Sequence, residues 1–224
     1  MTTLENSVAI LKLFKHIDLT QEQPGLTFTD IAEALSLPKS TVSRLLSTME
    51  SEGLLERDPQ SRCFRLGRML LSLTSRYLST PLVDCASPMM VRLAAETSCT
   101  GYISVLDGRE IMVMRLFQGR MFIQLVTPPG SRMPAAHTSV GRALLARHGD
   151  DFVRNLYRDD WQVSSPNSPQ TVEQLLTELD RIRQRGWSLA RNETLHGISS
   201  LSTTVTNKIL GETVALCLSF PSLT

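Results

Sequence analysis

Between Thr27 and Leu66 the apolar positions change period twice, and each change marks an element. Ile31, Ala32 and Leu35 repeat at helical spacing behind a short polar start, with Thr29 as the expected N-cap and Asp30 in the first turn, where a negative charge is favoured. Leu37 follows in a turn. From Lys39 to Glu52, Val42, Leu45, Leu46 and Met49 fall at i, i+3, i+4 and i+7, one stripe of a second, longer helix. Its opposite face carries Lys39, Ser40, Ser43, Arg44 and Ser47. Pro38 suits the first helical position, because the missing N–H would be unpaired there anyway, and Gly53 is the expected C-cap. Leu54–Arg57 and Cys63–Leu66 then alternate with the period of strands. Between them, Asp58-Pro59-Gln60-Ser61-Arg62 is turn chemistry. A short helix, a tight turn, a longer helix and an arginine-bearing hairpin form the order that a winged helix-turn-helix requires.

The flanking pattern is different in kind. Asn6–Ile17 reads as a helix with Val8, Ile10, Leu11, Leu13, Phe14 and Ile17 around much of its circumference, which suggests packing against a partner subunit. Gly67 closes the hairpin, and Arg68–Ser79 reads as a linker helix with Met69, Leu70, Leu73 and Tyr77 available for packing. Ser79-Thr80-Pro81 is the expected boundary, giving a head over 1–67, a linker over 68–80 and a second domain over 81–224. There, Leu82–Thr97 is helical, with Pro88 expected to kink or restart it. Tyr102–Asp107 and Arg109–Leu116 flank Asp107-Gly108, a hairpin signal. Phe122–Thr127 is a further strand. Ser139–Arg147, Phe152–Tyr157 and Val172–Arg185 are helices, the last stopped by Gly186, and strands close the chain near Ile198–Val205 and Thr213–Phe220. The fold class is therefore α+β, with an antiparallel sheet in the second domain.

Charge sharpens the first domain. Hydroxyls, Lys and Arg bond phosphates and base edges, with Arg best suited to guanine. Pro38, Lys39, Ser40, Thr41, Ser43 and Arg44 are thus the candidate readers of double-stranded DNA, the first-turn amides near Lys39, Ser40 and Thr41 facing a phosphate. Arg57, Arg62 and Arg65 give the hairpin a cationic edge. Residues 1–80 carry nine Lys or Arg and nine Asp or Glu, while Pro38 to Arg68 holds six cations against four acids. So weak an overall field makes affinity depend on a few contacts and on pairing of two heads.

Composition bounds the remaining classes. The 224 residues, 42% hydrophobic, suffice for one or two ordinary cores, and a net charge of +1 argues against a membrane-surface or acidic-substrate role. No apolar run reaches the roughly 18 residues of a membrane span, and the N-terminus lacks the cationic start of a signal peptide. Cys63, Cys85, Cys99 and Cys217 show no C-x-x-C pairing, so neither a disulfide framework nor a zinc site is indicated, and the expected setting is a reducing cytoplasm. No G-x-S-x-G, G-x-G-x-x-G, phosphate loop or H-E-x-x-H occurs. His137, just before Thr138-Ser139, reads as a structural hydrogen-bonder and not as a base, so no catalytic residue, metal site or cofactor is assigned. A redox- or metal-sensing alternative would use Cys99 and Cys217, although no neighbouring cation is placed to lower either thiol pKa.

Four segments in order resemble the IclR-type bacterial transcription regulators: LSLPKSTVSRLLSTMESEGLLER, PPGSRMPAAHTSVGRALLA, GWSLARNETLHGISSLSTTV and VALCLSFP. The resemblance covers nearly the whole length. It implies a GAF-like effector-binding second domain that takes a small metabolite, often a carboxylate, beside its sheet. Carried over by position, the pocket would use backbone near Ser139 and Val140, polar contacts from Ser200, Cys217 and Ser219, and apolar walls from Phe122, Leu125, Met133 and Ile198. Amides at a helix start with nearby hydroxyls fit an anion without a fixed cation. Two departures stand out. Ala190 occupies a position that often carries an acid, and the chain stops at Thr224 where relatives usually continue with a helix, which would leave one sheet face bare.

The expectation is a metabolite-responsive regulator, either a homodimer or a dimer of dimers, repressing a catabolic operon. Activation by the same fold stays open, because its sign depends on operator position.

Overall fold

The computed structural model describes residues 2–14, 25–120, 127–159, 161–163 and 165–222, with residues 75–78 described in backbone only. The chain divides into two compact units, Met1–Tyr77 and Leu78–Thr224, a division that falls inside the expected linker helix.

In the first unit, α1 (Thr3–Leu13) starts at a reciprocal cap: the Thr2 hydroxyl accepts from the Glu5 amide and the Glu5 carboxylate accepts from the Thr2 amide. The remainder of the expected Asn6–Ile17 helix beyond residue 14 lies outside the described residues. The helix α2 (Phe28–Leu35) is capped by Thr27, not by Thr29. Asp30 decides this. Its carboxylate accepts from the Thr27 amide at 2.8 Å while its own amide donates to the Thr27 hydroxyl at 3.1 Å, a box that Thr29 cannot close. Ser36, at φ 51°, ends α2 in the left-handed conformation.

Pro38 is the N-cap of α3 (Lys39–Ser51) and not its first residue, and the Pro38 carbonyl accepts from the Thr41 and Val42 amides. Gly53, at φ 71°, lies one residue beyond the Glu52 cap, the usual place for a left-handed glycine. Strands β1 (Leu55–Arg57) and β2 (Phe64–Leu66) pair antiparallel. Gly67 sits so close to the Gly53 carbonyl that a Cβ would come within 2.0 Å of its oxygen. All four stripe residues of α3 are buried and pack with Ile10, Ile31, Leu55 and Phe64. Burial of side chains this size contributes about 1.5–3 kcal/mol each. The helix α4 (Arg68–Leu78) closes the unit with Leu71 largely exposed.

The second unit is a six-stranded antiparallel sheet in the order β5-β4-β3-β8-β7-β6. The strands are β3 (Thr100–Asp107), β4 (Glu110–Phe117), β5 (Arg132–Pro134), β6 (Ser188–Arg191), β7 (Ile198–Asn207) and β8 (Glu212–Pro221). One face carries α5 (Pro81–Thr97), whose Leu82, Val83, Ala86 and Met90 pack on Ile103, Met114 and Val214. Pro88 lies inside α5 without dividing it, so the expected restart does not occur. The other face carries α6 (Ser139–Leu145), α7 (Asp150–Leu156) and α8 (Val172–Arg185), packed on Tyr102, Ile111, Val113, Ala215 and Cys217. The alternation Tyr102, Ile103, Ser104 along β3 thus serves two cores at once.

Strands β5 and β6 have three and four residues, too few for a period-two signal, and neither was expected. Of the expected strand Phe122–Thr127, only Thr127 lies among the described residues, and it is not in a strand. Beside α5, the sheet carries an open apolar groove bordered by Met90, Leu93, Trp187, Leu201, Leu218 and Phe220.

Candidate nucleic-acid interface and ligand cavity

The face of α3 opposite its core stripe presents Lys39, Ser40, Ser43 and Arg44 to solvent, with Pro38 exposed just before them and Thr41 half-buried. The four exposed polar side chains have no hydrogen bond or ion pair with another described residue. A helix anchored by four buried residues therefore holds out a row of donors that no other described residue has claimed.

The hairpin is less open than its arginine count suggests. Arg65 pairs with Asp58 at 3.2 Å. The Arg57 Nε donates to the Arg62 carbonyl, and its guanidinium lies over the Phe64 ring at 5.2 Å. Asp58 also accepts from the Ser61 amide and hydroxyl and the Gln60 amide. The Ser61 amide contributes most, and these bonds hold the carboxyl below its usual range. Arg62, with φ 61° at the turn, is the wing arginine whose guanidinium has no such partner among the described residues.

In the second unit a cavity of about 80 Å³ lies between α6 and the sheet. Met133, Ser139, Val140, Ile198, Ser200, Cys217 and Ser219 all border it, so the structure brings together every described residue of the expected pocket. Phe122 and Leu125 lie outside the described residues. The sequence reading missed Tyr102, Ser104, Thr138, Glu193 and Thr194, which come from β3, the α6 cap and the loop after β6.

Hydroxyls dominate the polar lining. Ser139, fully buried, places its Oγ 2.7 Å from both the Ser200 and Ser202 Oγ atoms. The Ser104 hydroxyl, displaced by a register shift between Ile103 and Ser104, is buried without a partner. The Thr138 hydroxyl caps α6 by accepting from the Gly141 amide at 3.0 Å. Burial pushes the Tyr102 hydroxyl above its ordinary pKa, a shift that hydrogen bonding to Thr127 opposes. Burial likewise raises the Cys217 thiol, against hydrogen bonds to Ser202, Ser219 and Ser139.

One ion pair fastens the cavity's cover. Arg142 on α6 is 1% exposed and grips Glu193 with both Nη atoms, at 2.5 and 2.9 Å. The same guanidinium donates to the Ala136 and Leu189 carbonyls, so α6, the turn before it and the end of β6 share one hub. Glu193 and Thr194 belong to the loop Asn192–Gly197, which begins and ends in left-handed conformations at φ 52° and 81°. The Thr194 hydroxyl donates to the His137 carbonyl at 3.3 Å, a second tie across the same gap. Ala190 faces the cavity as a methyl group, and the nearest acid is Glu193, already neutralised by Arg142.

Other chemistries find little here. The His137 Nε2 lies 2.5 Å from the Gln162 carbonyl oxygen and not against Ser139. All four cysteines are free thiols, and the raised pKa of Cys217 works against a reactive thiolate. Among the described residues no group of three or more His, Cys, Asp or Glu could hold a metal ion, and no helix is long and apolar enough to cross a membrane.

Comparison with known proteins places these features in a family. The family model for the bacterial transcriptional regulator IclR C-terminal matches residues 75–224, and that for the IclR helix-turn-helix domain matches residues 3–59. The chain is 26% identical over 219 residues to the HTH-type transcriptional regulator XynR of Escherichia coli (strain K12), covering 97% of this chain and 85% of that protein. It is 23% identical over 221 residues to the HTH-type transcriptional repressor AllR of the same strain, covering 98% and 80%. Among solved structures, an IclR homolog complexed with 4-hydroxybenzoate from Microbacterium hydrocarbonoxydans shares the fold. Its TM-score is 0.82 at 21% identity, covering 98% of this chain and 89% of that one.

Proposed function

This chain belongs to the IclR family of bacterial transcriptional regulators, and we propose that it is a repressor of a catabolic operon, released by a small polar metabolite. The observation that carries this reading is the hydroxyl-lined cavity closed by the Arg142–Glu193 pair. It is a mostly apolar space beside a core into which several hydroxyls converge, the usual form of a small-molecule site.

Its chemistry suggests the ligand class. Among the described residues no Lys or Arg borders the cavity, and Arg142, which holds Glu193, is not part of its lining. Hydroxyl donors from Ser104, Ser139, Ser200 and Ser219, with the Ser139 and Val140 amides of the first turn of α6, would serve a small carboxylate or sugar acid. The volume is about half of the 150 Å³ that holds benzene in an engineered cavity, which favours an effector of a few heavy atoms. The 4-hydroxybenzoate of the Microbacterium homolog is larger, and Ala190 and Glu193 give this chain's cavity its own outline.

For the output, two heads read a near-palindromic operator with Ser40, Thr41, Ser43 and Arg44 entering the major groove. Effector binding changes how the heads are held and hence operator affinity. Repression is favoured over activation by the likeness to a named repressor.

A thermal-shift panel of small carboxylates and sugar acids tests the reading, with zinc and peroxide as controls. One acid should raise the melting temperature and, at the same concentration, release the chain from its operator. A panel without any stabilising acid, or stabilisation without operator release, would overturn it.

A further inference from the structure

A second cavity, of about 430 Å³, lies on the other side of the segment that walls the first. Its lining includes His137, Tyr157, Trp161, Pro134, Arg109 and Val163. Trp161 stands edge-on to both other rings, 5.4 Å from His137 at 63° and 5.4 Å from Tyr157 at 72°. The tryptophan is itself fixed, because its indole N–H donates to the Gln170 carbonyl at 2.8 Å.

One buried polar atom on this wall has no partner among the described residues. The His137 Nε2 faces a carbonyl oxygen, which only accepts, so Nε2 carries the ring proton and Nδ1 is left as a bare acceptor. Burial, the largest effect, holds the ring's pKa below its ordinary value and keeps it neutral. Nδ1 is buried and unpaired, in a side chain only 4% exposed. The Tyr157 hydroxyl is also buried, and burial pushes its pKa up to about 12 against a hydrogen bond to the Ala136 backbone, so it keeps its proton. Native interiors rarely leave such an atom unmatched, and an orphaned acceptor on the wall of an aromatic cavity asks for a ligand that supplies the missing donor.

We propose that this cavity is a second ligand site, for a small planar aromatic molecule carrying one O–H or N–H donor, such as phenol or indole. The ligand ring lies among Trp161, Pro134 and Val163, where aromatic and apolar surfaces favour a flat molecule. Its donor meets Nδ1 of His137, and the Tyr157 hydroxyl completes the polar end.

The two cavities share a wall. Met133, Thr138, Ser139 and Val140 border the first, whereas Pro134, Ala136 and His137 border the second. The His137 carbonyl accepts from Thr194, which lies in the loop over the first cavity. A ligand that fixes His137 therefore alters the frame of the effector site, and this coupling, unlike the binding itself, rests on the proposed effector reading.

The test uses the full chain with Trp187→Phe, which leaves Trp161 as the sole tryptophan. Phenol should change its fluorescence saturably, and toluene, the same shape without a donor, should bind about ten-fold more weakly. Tyr157→Phe should weaken phenol several-fold and leave toluene unchanged. Ala190→Leu, which fills the first cavity, should abolish the response to any stabilising acid and leave phenol binding intact. No saturable change, equal affinity for phenol and toluene, or loss of phenol binding in the Ala190→Leu chain would overturn the proposal. In each of those cases the acid response still reports separately on the effector site.

Discussion

Two arginines on two short helices divide the molecule's chemistry between them. Arg44 on α3 is exposed and has no partner among the described residues. Arg142 on α6 is buried and makes two contacts to a carboxylate and two to backbone carbonyls. The serines follow the same split. Ser40 and Ser43 stand in solvent, while Ser139 bonds to both Ser200 and Ser202. In the head, the exposed polar face of α3 carries none of the fold, which rests on the opposite stripe. In the second unit, Glu193 and Thr194 both line the cavity and tie its loop to α6 and the turn before it. Loss of function without loss of stability should be common in the first region and rare in the second.

The comparison breaks most visibly at Arg142. Arg142→Ala leaves the Glu193 carboxylate nearly buried without its partner, and removing one side of such a pair costs about 3–5 kcal/mol. Denaturant unfolding should show that loss, and Arg142→Lys should recover only part of it, because an ammonium cannot replace the bidentate grip. A loss below about 1 kcal/mol would mean that the pair is ornamental and that the loop closes the cavity by other contacts.

Arg44 provides the opposite case. Arg44→Ala should weaken specific operator binding by about 1–3 kcal/mol while the melting temperature stays unchanged. Unaltered affinity in a gel-shift assay would remove α3 from the reading role. A fall in melting temperature would show that the head, too, builds its fold from functional residues.

The same division explains how much the sequence disclosed. The stripe Val42, Leu45, Leu46 and Met49 is legible because burial imposes the 3.6-residue period, and its complement then points outward of necessity. Caps were legible only approximately: Thr27 and Thr29 look alike until the side chain of Asp30 is seen to close on one of them. The cavity residues on β7, β8 and the start of α6 came from resemblance and not from periodicity. A strand that alternates Ser200 with Ser202 shows which face they share but not what stands opposite them. Glu193 and Ser104 were out of reach for a physical reason. Each acts through a partner distant in the chain or a local register shift, neither of which leaves a pattern in neighbouring residues. The Asp58–Arg65 pair was out of reach for the same reason, since it depends on the closed turn.

That pair supplies the smallest and most discriminating test. The unclaimed guanidinium of Arg62 is available for a phosphate, so Arg62→Ala should lower the salt dependence of operator binding by about one unit of log–log slope, equally for all sequences. Arg65 already faces a carboxylate, so its removal leaves the Asp58 charge unneutralised and weakens binding overall, but takes away no phosphate contact. Arg65→Ala should therefore leave the slope almost where it was. Affinity titrations across a range of salt concentrations measure both. If the two variants lose the same slope, the Asp58 carboxylate gives way when DNA arrives. The wing would then carry the same kind of latent donor as α3, merely held in reserve by a pair that salt and phosphate can open.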